Sequence, residues 1–309
     1  MQRSAPLRRR LAACAAAALA ALTAVALGPD SAGAVRPGDP RADATMLTLN
    51  SSDLIPGTAW GADPATGRVD VIADPTVTGK KLDRLNEVLK PLGQAVELKR
   101  TTTELRAFLA GGDAIYGSER AGFHGKCSLG FNVRRPDNSA AFLTAGHCGN
   151  PIKSWSTTDG GPEIGRVPTG GSHFPGDDYA IVDYTDTAID HPSQVNLYNG
   201  SAQPITGAHD AVMGENVRRS GATTSPRLGG VSSGQVTGRD WTVTYPEGRV
   251  SGLTKTNVCA EPGDSGGAFF SGTDAVGLTS GGDGNCTEGG TTFFQPVKEA
   301  LSAFGVTIG

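Results

Sequence analysis

Cysteine is scarce in this 309-residue chain, five in all, and no two are spaced as C-x-x-C. That absence removes the usual zinc-site layouts, so no metal and no other cofactor is expected. No long apolar run occurs after residue 34, which excludes later membrane spans. Residues 111–309 hold 13 Lys+Arg against 20 Asp+Glu, and they form no basic stripe. A nucleic-acid partner is therefore not expected. Internal repeats and low-complexity linkers are also missing, and no histidine follows His209.

The N-terminus has what the rest lacks. Arg3, Arg8, Arg9 and Arg10 precede an apolar run from Leu11 to Leu27, and the small triplet Ala32-Gly33-Ala34 follows. This is the pattern of a signal peptide over 1–34, cut before Val35. Cys14 sits at the start of the apolar run, the wrong end for lipid attachment. The remaining chain is expected to be secreted and extracellular, with no membrane contact after signal removal. Removing Cys14 leaves Cys127, Cys148, Cys259 and Cys286, an even number in an exported chain. Of the three possible pairings, the least entangled joins Cys127 to Cys148 and Cys259 to Cys286. Each such loop would contribute roughly 3 kcal/mol on the chain-entropy model.

Two apolar-alternating runs flank an Asp-Pro-Ala-Thr-Gly turn within 58–73, the signature of a β-hairpin. Leu82, Leu85, Val88 and Leu89 then recur at helical spacing until Pro91 and Gly93. A small α+β unit results, short enough to bury little core alone. Beyond residue 110 the character changes, because 36 of the 44 glycines fall there and short β-branched or aromatic runs alternate with turn residues. That predicts an all-β barrel or sandwich. Expected strands are Ser128–Arg134, Ala140–Ala145, Tyr179–Tyr184, Trp241–Tyr245, Gly267–Phe270 and Ala275–Thr279. One helix is expected from Val297 to Phe304, with Pro296 at its first position and Gly305 as its stop.

The most informative stretch is Glu261-Pro262-Gly263-Asp264-Ser265-Gly266-Gly267. A serine between glycines can sit on a tight turn with its hydroxyl exposed. Acyl hydrolysis also needs backbone N–H donors for the tetrahedral oxyanion, and Gly263 and Ser265 can supply them. The same residues match G-x-S-x-G of α/β-hydrolases, whose triad order is Ser, acid, His. No histidine follows Ser265, so that order is impossible. The base must precede the serine. His147 ends the apolar run Ala140–Ala145 beside Cys148, whereas His124, His173, His191 and His209 lie in polar, Gly- or Pro-flanked stretches. The acid that orients the imidazole should be buried. Asp177 and Asp178 both precede an apolar strand, and Asp178, adjacent to it, is preferred.

The order His147, Asp178, Ser265 is that of the chymotrypsin fold. Gly111–Tyr116, Cys127–Val133, Phe142–Cys148, Cys259–Gly267, Gly277–Cys286 and Gly289–Val306 together resemble the streptogrisins, the bacterial branch that includes alpha-lytic protease. The resemblance spans essentially all of 109–309. It implies two antiparallel β-barrels with a C-terminal helix, preceded by a small α+β pro-region over 35–108. That family's Asn-Asp-Tyr pattern selects Asp178 as the acid, and Asp177 stands where the Asn would be. A like charge there is expected to disfavour ionisation and weaken activity at low pH.

The resemblance further implies a specificity pocket walled by Ser280, Gly281 and Gly282 on one side and Ala260, Glu261 and Pro262 on the other. With two glycines and no charge at its base, the pocket would take Phe, Tyr, Leu or Met before the scissile bond. Asp283, beside the wall, would tolerate some basic substrates. Arg219 would pair with Asp264 and hold the oxyanion turn. The mature chain would begin at Leu109, making Phe108–Leu109 the processing site. Expected partners are protein and peptide substrates, the pro-region as folding aid and inhibitor, and proteinaceous protease inhibitors; the mature enzyme is expected to be a monomer. The competing reading is a protease-like binding module without turnover.

Overall fold

The computed structural model describes residues 40–52, 55–102, 105, 108–118 and 124–309. The expected signal segment, Cys14 and the Val35 cleavage point lie outside the described residues. Among them, no helix is long and apolar enough to cross a membrane. The chain divides into two compact units between Leu105 and Arg106.

In the first unit, the strands Thr58–Asp63 and Arg68–Ala73 form the expected hairpin. Arg68–Ala73 then pairs in parallel with Val96–Arg100, and the helix Lys80–Leu89 lies in the connection between them. A further helix, Pro40–Asn50, contributes Leu49 to a core with Val69, Val71, Leu85 and Val96. The unit thus has a hydrophobic core of its own, larger than its sequence implied.

The second unit holds two large, mainly antiparallel sheets, a two-stranded ribbon of Gln194–Asn196 with Ala202–Pro204, and the helix Val297–Phe304. One sheet runs Thr307–Ile308, Phe131–Arg134, Ala140–Thr144, Tyr179–Tyr184, Gly165–Arg166, Ser154–Ser156, Ala114–Ser118, His124–Ser128. The other closes on itself. Asp274–Asn285 pairs with Ala268–Ser271 at one end of the strand path and with Gly289–Pro296 at the other, through Asn216–Arg219, Ser232–Tyr245 and Gly248–Thr256. Each strand on that path is paired on both sides over part of its length, which closes the barrel.

Side-chain alternation along single strands builds three cores. Phe142 enters one with Ile115, Leu129 and Trp155, while its neighbours Ala141 and Leu143 face the opposite side. There they meet Phe270, Leu278 and Val297. Phe269 turns the other way into the closed barrel with Val217, Val236 and Phe294. The middle core joins the two sheets, and the candidate residues His147, Asp178 and Ser265 come from the elements flanking that seam.

Two local expectations shift. The predicted strand Ser128–Arg134 breaks at Leu129-Gly130, where a Cβ on Gly130 would stand 2.3 Å from Leu278 and 2.8 Å from Gly266 O. Pro296 is the residue before the helix, not its first position, because it is still extended and pairs with Gly277. Gly305 ends the helix in the left-handed conformation, with φ 62°.

Candidate active site

The strand Ala140–Thr144 runs into a one-turn helix, Gly146–Gly149, that carries His147. Ala180 pairs with Thr144 across the sheet, so Asp178, two residues before Ala180, arrives opposite Gly146. Asp178 is fully buried. Its carboxylate accepts from the His147 backbone N–H at 2.9 Å and lies 2.9 Å (Oδ2) and 3.0 Å (Oδ1) from His147 Nδ1. The Ser280 hydroxyl donates to Asp178 Oδ2 at 2.6 Å. Since that uses Ser280's only proton, the Tyr245 hydroxyl, 3.1 Å away, donates to Ser280. The Asp178 N–H donates to Gln295 Oε1 at 2.9 Å, and Gln295 donates to Glu299.

With Nδ1–H held by the carboxylate, His147 keeps Nε2 as its acceptor. Burial alone would depress the His147 pKa. The charge and hydrogen bond of Asp178, with a smaller contribution from Glu247, outweigh burial and raise it above the ordinary 6.5.

Ser265 comes from the other sheet, on the turn before Ala268–Ser271. Gly266, at φ 78°, lies so close to the first sheet that a Cβ would stand 2.2 Å from Thr144 Oγ1 and 2.7 Å from Ala145 N. Ser128 N–H donates to Ser265 O at 2.8 Å. These contacts bring the Ser265 turn beside the strand that delivers His147. Along the turn, the N–H groups of Asp264, Gly266 and Gly267 all donate to backbone carbonyls. Those of Gly263 and Ser265 have no acceptor among the described residues, leaving two donors open to an oxyanion.

The turn is braced from beneath. Asp264 is fully buried and accepts from the N–H groups of Thr223 and Thr224 through Oδ1 and of Glu261 through Oδ2. Arg219, equally buried, stands with Nη1 3.2 Å from Asp264 Oδ2 and donates to Cys259 O, Thr224 and Ser232. Burial lowers the Arg219 pKa, against the pull of Asp264. Disulfides join Cys127 to Cys148, next to His147, and Cys259 to Cys286, at the base of the serine turn.

A cavity of about 690 Å³ adjoins His147. Asn150, Pro151, Phe174, Pro175, Tyr245, Glu247 and Ser280–Gly282 complete its lining. The loop holding Phe174 and Pro175 is tied to the hairpin behind Glu247, since Gly176 N donates to Arg249 O and Ser251 N to Gly176 O. Ala260, Glu261 and Pro262 do not line this cavity. Glu261 instead forms a two-point pair with Arg227, at 2.7 and 2.5 Å, and accepts from Cys286 N.

Gly281 and Gly282 are small because neighbours press on them. A Cβ on Gly281 would meet the Tyr245 ring at 2.8 Å, and one on Gly282 would meet Thr291 O at 2.1 Å. Asp177 accepts from Tyr179 OH at 3.2 Å. Its charge acts on Glu299, whose pKa is raised by burial first and by Asp177 second. Asp283 is exposed and accepts from Thr291 N.

Sequence reasoning missed Tyr245, Glu247, Phe174 and Gln295, and the bond from Ser280 to Asp178. No local motif marks them, because each depends on strand pairing between distant segments.

Residues 132–303 match the trypsin family, and residues 43–92 match the alpha-lytic protease prodomain. Streptogrisin-D of Streptomyces griseus is 53% identical over 85% of this chain, which spans 64% of that relative's length. Streptogrisin-A of the same organism is 45% identical over 86% of this chain and 82% of its own. The segments that resemble the streptogrisins resemble streptogrisin B in particular, and these relatives do not single that member out. Among solved structures, one described as a glutamic acid specific serine protease using a novel histidine triad in substrate binding is 43% identical. It covers 65% of this chain and all of its own, with a TM-score of 0.59. The chain therefore belongs to the trypsin family of serine proteases, in its streptogrisin group, with an alpha-lytic protease prodomain ahead of the protease domain.

Proposed function

We propose that this protein is a secreted serine endopeptidase, made as a precursor, that cuts peptide bonds after large apolar residues through a covalent acyl-enzyme. The observation that carries the reading is the buried Asp178 carboxylate on His147 Nδ1, beside a serine turn with two unengaged N–H donors. Ser265 Oγ attacks the scissile carbonyl while His147 Nε2 takes its proton. The carbonyl oxygen becomes an oxyanion bound by the N–H groups of Gly263 and Ser265. His147 then gives the proton to the leaving amine, and water repeats the sequence to release the acid. Asp178 holds the tautomer and stabilises the imidazolium. Because His147 must be neutral to act as base, and its pKa is raised, kcat/KM falls as pH drops through a value above 6.5.

An apolar preference is supported by what the pocket walls lack. Glu261, the one acid of the expected walls, is neutralised by Arg227. A glutamate preference is the second reading, raised by the relative with a histidine triad. It finds little support in this chain: His173 packs on Tyr179 and Phe304, His191 stacks on Tyr184, and His209 bonds Asp274 and Glu215. Four tetrapeptide p-nitroanilides differing only in the last residue, Phe, Leu, Glu or Lys, test the proposal. The Phe and Leu substrates are expected to exceed the Glu and Lys ones by about a hundredfold in kcat/KM, within the range one buried mismatch supplies. A Glu substrate cut as fast as Phe overturns the apolar assignment.

On this reading residues 1–34 are the signal, 35–108 the pro-region and 109–309 the mature enzyme. The pro-region acts as folding aid and inhibitor, and the released enzyme is a monomer open to proteinaceous inhibitors. Phe108 is 65% exposed, but Leu109 is buried, its N–H donates to Asp190 O and its carbonyl accepts from Asn132. Cleavage of Phe108–Leu109 therefore precedes docking of this segment or follows its local release.

A further inference from the structure

Glu247 stands out among the groups lining the cavity beside His147. It lies between the strands Ser232–Tyr245 and Gly248–Thr256, whose hairpin projects at the rim. Among the described residues it is the only carboxylate lining that cavity, whose other walls are His147, Asn150, Pro151, Phe174, Pro175, Tyr245 and Ser280–Gly282. It is exposed and has no ion-pair partner among the described residues, although Arg249 is two positions away. Its field is felt at the imidazole, which it helps to hold in the protonated form.

A peptide laid along Ser280–Gly282 would be extended, and its side chains would alternate in direction. The residue before the scissile bond enters the specificity pocket. The next one back points the other way, toward His147 and the cavity. A side chain there enters the cavity that Phe174, Pro175, Tyr245 and Glu247 line. A long aliphatic stem with a cationic head fits that cavity, its stem on apolar surface and its head on the carboxylate.

We propose that Glu247 is a specificity-determining residue that makes the enzyme favour Lys or Arg at the second position before the scissile bond. The inference rests on the endopeptidase reading above. Substrates of this chemistry are basic peptides with a cationic residue followed by a large apolar one. The pair is solvent-exposed, so its effect is modest and salt-sensitive.

The test uses the mature enzyme and tetrapeptide p-nitroanilides ending in Phe, with Lys, Gln or Glu at the second position and, in a parallel set, at the third. Work on the plateau above the acid limb of the rate profile keeps His147 neutral, and staying below the ordinary lysine pKa keeps the substrate lysine charged. At low ionic strength the second-position Lys peptide is expected to exceed the Gln peptide roughly fivefold in kcat/KM, with Glu lower still. Glu247→Gln brings the Lys-to-Gln ratio to one, Glu247→Lys inverts the preference toward Glu, and added salt shrinks the wild-type ratio. A wild-type ratio of one, a ratio that survives both variants, or a lysine preference confined to the third position overturns the proposal. Failure to cleave any peptide strikes the endopeptidase reading instead.

Discussion

Ser265→Ala is expected to lower kcat/KM for a peptide p-nitroanilide ending in Phe by about 10⁵–10⁶-fold, with KM little changed. The hydroxyl is the only group removed. The Gly263 and Ser265 N–H groups, the cavity and the Arg219–Asp264 brace all remain, so substrate still binds and a residual rate above that of water persists. The secreted variant tests processing as well. If the enzyme cuts its own Phe108–Leu109 bond, wild-type protein starts at Leu109 and the variant does not. A variant that keeps a tenth of wild-type activity would remove Ser265 from the chemistry.

Asp178→Asn is expected to cost about 10⁴-fold in kcat at neutral pH, next in size after the serine. The geometry explains why so small a change matters. Asp178 accepts from His147 Nδ1, His147 N and Ser280 Oγ at once. An amide presents its NH₂ toward one of these groups. If it faces His147, the ring proton moves to Nε2 and the general base is lost. The variant also loses the charge that holds the His147 pKa up, so the acid limb of its residual activity moves to lower pH. Loss of activity with no movement of that limb would point to misfolding rather than to the proposed role. A variant within tenfold of wild type would assign the orienting function elsewhere.

The residues proposed to carry the chemistry were the ones the sequence marked most plainly, because each carries a local signature. Ser265 sits among glycines that its turn requires, His147 ends an apolar strand, and Asp178 begins one. The strand Tyr179–Tyr184 and the helix Val297–Phe304 were equally plain, since one opens as a continuous apolar run and the other repeats at helical spacing. The long hairpin was not. Only Trp241–Tyr245 was expected of a strand that runs from Ser232, because Gly234, Gly238 and polar residues dilute its pattern and its pairing shifts register at Gly238 and Trp241. Its tip holds Tyr245 and Glu247, so the cavity wall was lost with it. Gln295 and the Ser280–Asp178 bond link residues more than a hundred positions apart, a separation no local pattern encodes. In the first unit, Val96–Arg100 was missed because its pairing is parallel, across a helical crossover.

The central claim is a covalent acyl-enzyme on Ser265, and pre-steady-state hydrolysis of a peptide p-nitrophenyl ester ending in Phe tests it most directly. With an ester, acylation outruns deacylation, so the intermediate accumulates. Wild-type enzyme is predicted to release a burst of p-nitrophenol equal to its active-site concentration, followed by a slower steady rate, and Ser265→Ala to show no burst. An undiminished burst from Ser265→Ala would contradict it.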